Sequence, residues 1–294
     1  IAQPGLLVDP WNPVAGSNWI YDSMPIRATA DLGFMPDPYT GLYWPWRAES
    51  ATVVVQEGLP VGNTLDWVEV SFQPEIAVPA EAWYDFDAVS QKWITVGEAF
   101  TTTQTALTKV TVTYPADLWT TVTWHDGSPI TMGDFMMSMI IGFDRAKPES
   151  PLYDESAASL LEAFFGHFKG LVIESTDPLV ITTYDDYWSL DAEYLAATST
   201  WWPSCGYGPC SWHTLVPGVK AEAAGQLAFS ADKADAAAVE WMSFVAGPSI
   251  EVLYTQLMTA TAEAFIPYSP TMNAYVTAEE AALRYENLGQ WVRE

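Results

Sequence analysis

The chain has 294 residues, of which 49% are hydrophobic and 14% aromatic, including 15 Trp. That apolar content excludes intrinsic disorder and allows a sizeable core in one or two domains. With 37 acids against 11 bases the net charge is −26, which argues against a nucleic-acid partner, because phosphate binding needs clustered Lys and Arg, and for an acidic extracytoplasmic protein.

Residues 1–48 are rich in Pro, Gly and aromatics and show little periodicity, with a short helix expected over 22–32. Residues 52–55 and 65–72 read as strands. In the second, Val68, Val70 and Phe72 alternate with Glu69 and Ser71, which predicts one buried face. Residues 74–106, with Pro74, Pro79 and the Thr-rich run at 101–105, read as loop with short strands, and 108–114 alternates again through Val110, Val112 and Tyr114. The stretch Trp124-His125-Asp126-Gly127-Ser128-Pro129-Ile130-Thr131-Met132-Gly133-Asp134 then reads as strand, turn and capped helix. Asp-Gly is a turn signal, because Gly tolerates positive φ. Thr131 can cap the helix, and Asp134 at its third position favours the dipole. Phe135, Met136, Met139, Ile140 and Phe143 share one helical face.

A second helix is expected over 155–168, with Leu160, Leu161, Phe164, Phe165 and Phe168 as its stripe. A strand pair follows at 171–174 and 179–183, and 221–291 is Ala-rich and helical. There Ser230 caps a helix over 231–245, and Gly247 and Pro248 break it. The next helix keeps Ile250, Leu253, Tyr254, Leu257, Met258, Thr261 and Phe265 on one face. Thr277-Ala278-Glu279-Glu280 is a capping box that opens a last helix with Ala281, Tyr285, Leu288 and Val292 inward. Short alternating strands with flanking helices predict a mixed sheet with peripheral helices. No run of about 18 apolar residues predicts a membrane-spanning helix.

In its order and wording the 124–134 segment resembles the signature of the extracellular solute-binding proteins of ABC importers, in the oligopeptide-binding family 5 group. That pattern runs roughly F-H-D-G-x-P-x-T-A-x-D-V into a helix. Upstream, Asn12-Pro13-Val14 and Pro38-Tyr39-Thr40-Gly41-Leu42-Tyr43-Trp44-Pro45-Trp46-Arg47-Ala48-Glu49-Ser50 resemble the family's early L-N-P and T-G-x-x-x-P-x-L-A-E-S segments. Downstream, 170–182 resembles the hairpin after the helix. The departures are 118–123, where the family has a basic L-R-x-G-V-K strand, Gly133 in place of the usual Ala, and a longer stretch at 57–116.

The resemblance implies an α/β (mixed α+β) fold, a periplasmic-binding-protein type II lobe with mixed sheet and peripheral helices and an incomplete second lobe. In that layout residues 1–50 are a first-lobe core segment and 51–200 a subdomain with the mixed sheet and signature helix. Residues 201–294 are a Cys loop and helical insertion leading back toward the first lobe. The chain is then the N-terminal portion of a longer protein or a processed product. It would be periplasmic or cell-surface, anchored as a lipoprotein through an N-terminus outside this sequence. The implied function is capture of an extracellular oligopeptide by lobe closure and delivery to an ABC permease in the membrane. ATP is hydrolysed elsewhere, so no catalytic residue, metal or cofactor is expected. The implied partners are the ligand, the permease and the remainder of the chain. Relatives in the group also take oligosaccharides, nickel or haem, and stacked Trp suits a sugar as well as a peptide. Two other classes stand beside this one: a surface structural or assembly protein reusing the fold, and a hydrolase.

His125 beside Asp126 invites a catalytic reading, but sequence neighbours at a strand end point in opposite directions. The turn residues His125, Asp126, Gly127, Thr131 and Asp134 therefore read as a structural motif. Asp85-Phe86-Asp87 and Tyr184-Asp185-Asp186-Tyr187 could hold a hard cation or be solvated turns, and neither continues into an EF-hand loop. Cys205 and Cys210 flank Gly and Pro and read as a short disulfide loop, with a zinc site that recruits His213 as the rival. Asn18, Trp19 and Tyr21, Trp44 and Trp46, and Trp201 and Trp202 offer flat apolar faces for a ligand, with core packing as the alternative for each Trp.

Overall fold

The computed structural model describes residues 9–17 and 19–293, leaving aside the side chains at 26 and 27; Asn18 lies outside the described residues. The fold is mixed α/β. Its main strands are β1 (Ser50–Gln56), β2 (Val68–Gln73), β3 (Trp83–Asp87), β4 (Lys92–Thr95), β5 (Thr108–Thr113), β6 (Phe168–Thr176) and β7 (Leu179–Asp185). Its main helices are α1 (Ile20–Thr29), α2 (Met132–Asp144), α3 (Glu155–Phe165), α4 (Ala192–Thr198), α5 (Trp212–Ala223), α6 (Ala231–Ala237), α7 (Ser249–Glu263) and α8 (Ala278–Trp291). The chain divides into two compact units. One takes Leu32–Thr121 and Leu160–Trp202; the other takes the chain up to Asp31, Val122–Ser159 and Pro203–Glu294. No helix among the described residues is long and apolar enough to cross a membrane.

The first unit is built on a seven-stranded sheet in the order β2-β1-β5-β7-β6-β3-β4, in which only β1 and β2 run parallel. The alternation of β5 comes out as expected: Thr108, Val110 and Val112 point inward between half-buried neighbours. Val53, Val110 and Thr183 lie in register across β1, β5 and β7. Helix α4 covers the sheet with Ala192, Leu195 and Ala196. Its buried Glu193 accepts the backbone N–H groups of Thr64 and Leu65 through Oε1, at 2.6 and 2.5 Å, and so pins the β1–β2 crossover. The long 74–106 stretch is more regular than its composition predicts. Strands β3 and β4 form a hairpin, with the Trp83 and Trp93 rings stacked at 5.1 Å, and β3 extends the sheet beside β6.

Three local expectations fail in this unit. Strand β2 is the sheet's edge, so its inward face fades and Phe72 is 47% exposed. Residues 118–121 form a helical turn, not a strand, because the Thr120 and Thr121 hydroxyls and amides all donate to the Asp117 carbonyl. Phe168 opens β6 instead of closing a helix.

In the second unit α2 is buried on nearly every side, Met137 and Ile141 included, where the sequence suggested one face. Gly133 is required there: a Cβ would sit 2.5 Å from Val276 Cγ2 and 3.3 Å from the Trp212 ring. Helix α5 forms across Pro217, a residue that argues against a helix on sequence grounds. Ser230 does cap α6, accepting the Lys233 amide at 3.2 Å. The helix nevertheless stops at Ala237 rather than Val245, because Ala238 turns left-handed and Glu240–Trp241 pairs with Leu227–Ala228. On α7 the buried stripe is Ser249, Leu253, Leu257 and Ala260, which leaves Ile250, Tyr254 and Met258 each 40–41% exposed. On α8 Ala281, Tyr285 and Leu288 are buried as expected; Val292 is exposed, and Arg284 is buried in its place.

Candidate functional site

The 124–134 turn is held by a buried polar network inside the second unit. Gly127 adopts φ +82° at the turn, and the Asp126 carboxylate accepts the Ser128 amide at 3.0 Å. His125 faces solvent while Asp126 turns inward, so the two do not act as a pair. The partner of Asp126 is His213 on α5, with Nε2 2.7 Å from Oδ2. The other ring nitrogen of His213 lies 3.2 Å from Arg284 Nη1. Arginine only donates, so Nδ1 accepts, and the ring proton sits on Nε2 toward Asp126. Arg284 also binds both Asp134 oxygens through Nη1, at 3.0 and 3.1 Å, and reaches the Pro129 carbonyl and the Thr131 hydroxyl through Nη2. Asp134 accepts the Thr131 amide at 2.8 Å, a bond across the first turn of α2 beyond the dipole role expected of it. Glu280 spends its carboxylate on Arg284 and on the Thr131 hydroxyl, although its amide is capped by Thr277 as the sequence implied.

The His213 side chain has no exposed surface and Asp126 retains 4%. Burial pushes the Asp126 carboxyl up, but the bonds from His213 and Ser128 more than reverse this and hold it below the usual carboxylate range. With both nitrogens of His213 occupied, this network positions the turn and helix and offers no free base. Cys205 and Cys210 form a disulfide across the short Ser204–Cys205 and Gly208–Pro209 ladder, so His213 does not share a metal with them.

The aromatic candidates divide between the units. Trp19 and Tyr21 stand at the start of α1 in the second unit, 52% and 37% exposed, with rings 6.0 Å apart. Trp44 and Trp46 are exposed in the first unit. Trp202 is core, stacked with Tyr114 at 6.2 Å. Asp87 accepts the amides of Val89 and Ser90, which makes it a turn residue of the β3–β4 hairpin.

Trp201 opens on a pocket of 240 Å³ in the first unit. Thr183 and Asp185 project into it from alternate positions of β7, while Phe164 and His167 come from the α3–β6 junction. The Phe164 ring stands at 88° to Trp201 and 78° to His167, with centroids 6.3 and 5.5 Å away. Tyr187 adds a further wall, 5.9 Å from His167 and tilted by 54°. Trp201 Nε1 donates to Thr183 Oγ1 at 2.8 Å, which fixes the indole. His167 Nδ1 lies 2.8 and 2.9 Å from the two Asp185 oxygens, and the Tyr187 amide donates to Oδ1 at 2.5 Å. Burial raises the Asp185 carboxyl above its ordinary range, against the pull of the Tyr187 amide and of His167. Sequence reasoning reached Trp201. It placed Phe164 in a core stripe and Asp185 and Tyr187 in a cation-or-turn segment, and it did not single out His167. The Tyr-Asp-Asp-Tyr run at the end of a predicted strand was the usable signal, since alternation sends Asp185 and Asp186 to opposite faces.

No known family model matches this chain, and no curated protein matches it.

Proposed function

We propose that this chain is the ligand-binding component of an ABC importer, an extracytoplasmic protein of the type II solute-binding class that captures oligopeptides and delivers them to a membrane permease. The observation that carries the reading is the role of the 124–134 motif. Its Asp-Gly turn is tied through His213 and Arg284 to the first turn of α2, a positional task with no catalytic group left over. The placement of the other resembling segments supports it too. The 38–50 segment leads into β1, 170–182 lies within the β6–β7 hairpin, and β5 joins the two in one sheet. The Cys205–Cys210 disulfide is compatible with an oxidising compartment outside the cytoplasm. An oligosaccharide ligand is the nearest variant, since the exposed Trp19, Trp44 and Trp46 offer flat faces on which a sugar can stack.

Native mass spectrometry of material purified from its natural source, without refolding, tests the proposal. Release of a peptide mass from the folded protein is the expected result; a released sugar would change the ligand class. Protein that carries nothing and assembles into regular polymers would overturn the carrier reading. That outcome would favour a surface assembly role, to which the exposed Ile250, Tyr254 and Met258 stripe on α7 is suited.

A further inference from the structure

The pocket beside Trp201 has a chemistry of its own. At 240 Å³ it falls below the roughly 300–1,000 Å³ of sites that enclose drug-sized ligands, so it takes a single small group. Two of its ring pairs, Phe164 with Trp201 and Phe164 with His167, meet within 12° of perpendicular. Rings set at right angles make the walls of a box, whereas a sugar is met by one flat platform. Behind the rings lies the Asp185 carboxylate, its side chain 12% exposed, with no Lys or Arg among the residues that line the pocket. Lys169, the nearby base in sequence, is committed to Asp186 at 2.9 Å.

Most of the hydrogen-bond donors around the pocket are already spent, while His167 Nε2 is not. Asp185 accepts from His167 and Tyr187, and Thr183 accepts from Trp201. The Thr198 hydroxyl donates to the Tyr194 carbonyl, and that of Thr200 pairs with Tyr114. A polyhydroxylated ligand could donate to the remaining lone pairs, but to have its own oxygens satisfied it would compete with these bonds for their donors. A cation that carries no hydrogen-bond donors gains the negative ring faces and the buried carboxylate without breaking any. The chain's net charge of −26 draws cations toward it.

We infer that this pocket is a binding site for a methylated ammonium group, of the trimethylammonium type, held by Phe164, Trp201 and Tyr187 against Asp185. The pocket would take this group whether or not the chain serves a permease.

Titration calorimetry of the whole chain tests this with choline chloride, with its uncharged isostere 3,3-dimethylbutan-1-ol, and with glucose. Choline is expected to bind about tenfold more tightly than the alcohol. Phe164→Leu and Asp185→Asn are each expected to weaken choline about fivefold while the thermal melt stays cooperative. Equal affinity for choline and the alcohol would overturn the cationic assignment, as would binding of glucose in preference to choline, or no binding of any of the three. Should either variant fail to fold, the ratio of choline to its isostere on the unaltered chain decides the matter alone. A chain that releases a native peptide but ignores choline overturns this inference and leaves the carrier reading standing.

Discussion

Each unit of this chain contains a histidine bonded to an aspartate, and the two pairs behave differently. In the second unit Asp126 and His213 are 4% and 0% exposed, and Arg284 occupies the far side of the ring. In the first unit His167 is 39% exposed, and its Nδ1–H faces Asp185, which leaves Nε2 unspent beside a pocket. The carboxyls shift in opposite directions, Asp126 down and Asp185 up. A His–Asp pair is therefore not a function in itself. A histidine with both nitrogens spent is a strut; one with a nitrogen to spare at a concave surface can meet a ligand.

The contrast can be broken at several points. Arg284→Ala should cost about 3–5 kcal/mol, because it strands Asp134 and Glu280 without their cation in a buried setting. Urea denaturation would read this, and a loss below 1 kcal/mol would mean that the network is not a strut. His213→Ala should cost about 3 kcal/mol, since Asp126 and Arg284 both lose a buried partner, while His167→Ala should stay within about 1 kcal/mol. Equal losses from the two would erase the distinction. Replacing both Cys205 and Cys210 by Ala opens a short loop just ahead of α5 and should cost about 2 kcal/mol.

The smallest effect is the acid response. Asp126 is held below its unfolded value, so its contribution is complete above about pH 4 and is lost as pH falls through the lower folded value. Asp185 is raised, so folding disfavours its charged form, and that penalty is relieved as pH falls through its raised value. Thermal melts of Asp126→Asn against pH should show a weaker loss below pH 4 than the parent. Asp185→Asn should flatten the change above that range.

Much of the sheet was legible. Residues 108–114 alternate because both neighbours of β5 are fixed partners and one face is closed, and that leaves a period of two in the sequence. Strand β2 misled because an edge strand has only one neighbour to bury Phe72. Helix α5 was hidden by Pro217, and the end of α6 by Ala238, an alanine in a left-handed conformation that composition does not announce. The site was less legible than the sheet. Asp126 and His213 are 87 positions apart, and nothing local distinguishes Arg284 from the other ten bases. The pocket at Trp201 draws on residues from 164 to 201, each of which has an ordinary core or turn explanation in its own segment.

The pairing of Asp134 with Arg284 spans 150 positions. On a ribosome adding about 5–20 residues per second, the carboxylate therefore emerges roughly eight to thirty seconds before its guanidinium. All seven strands of the sheet have been made by residue 185, so the sheet can close while α2 still waits for its cation. Any chain released before Arg284 leaves one of the most deeply buried acids in the molecule without its counter-charge.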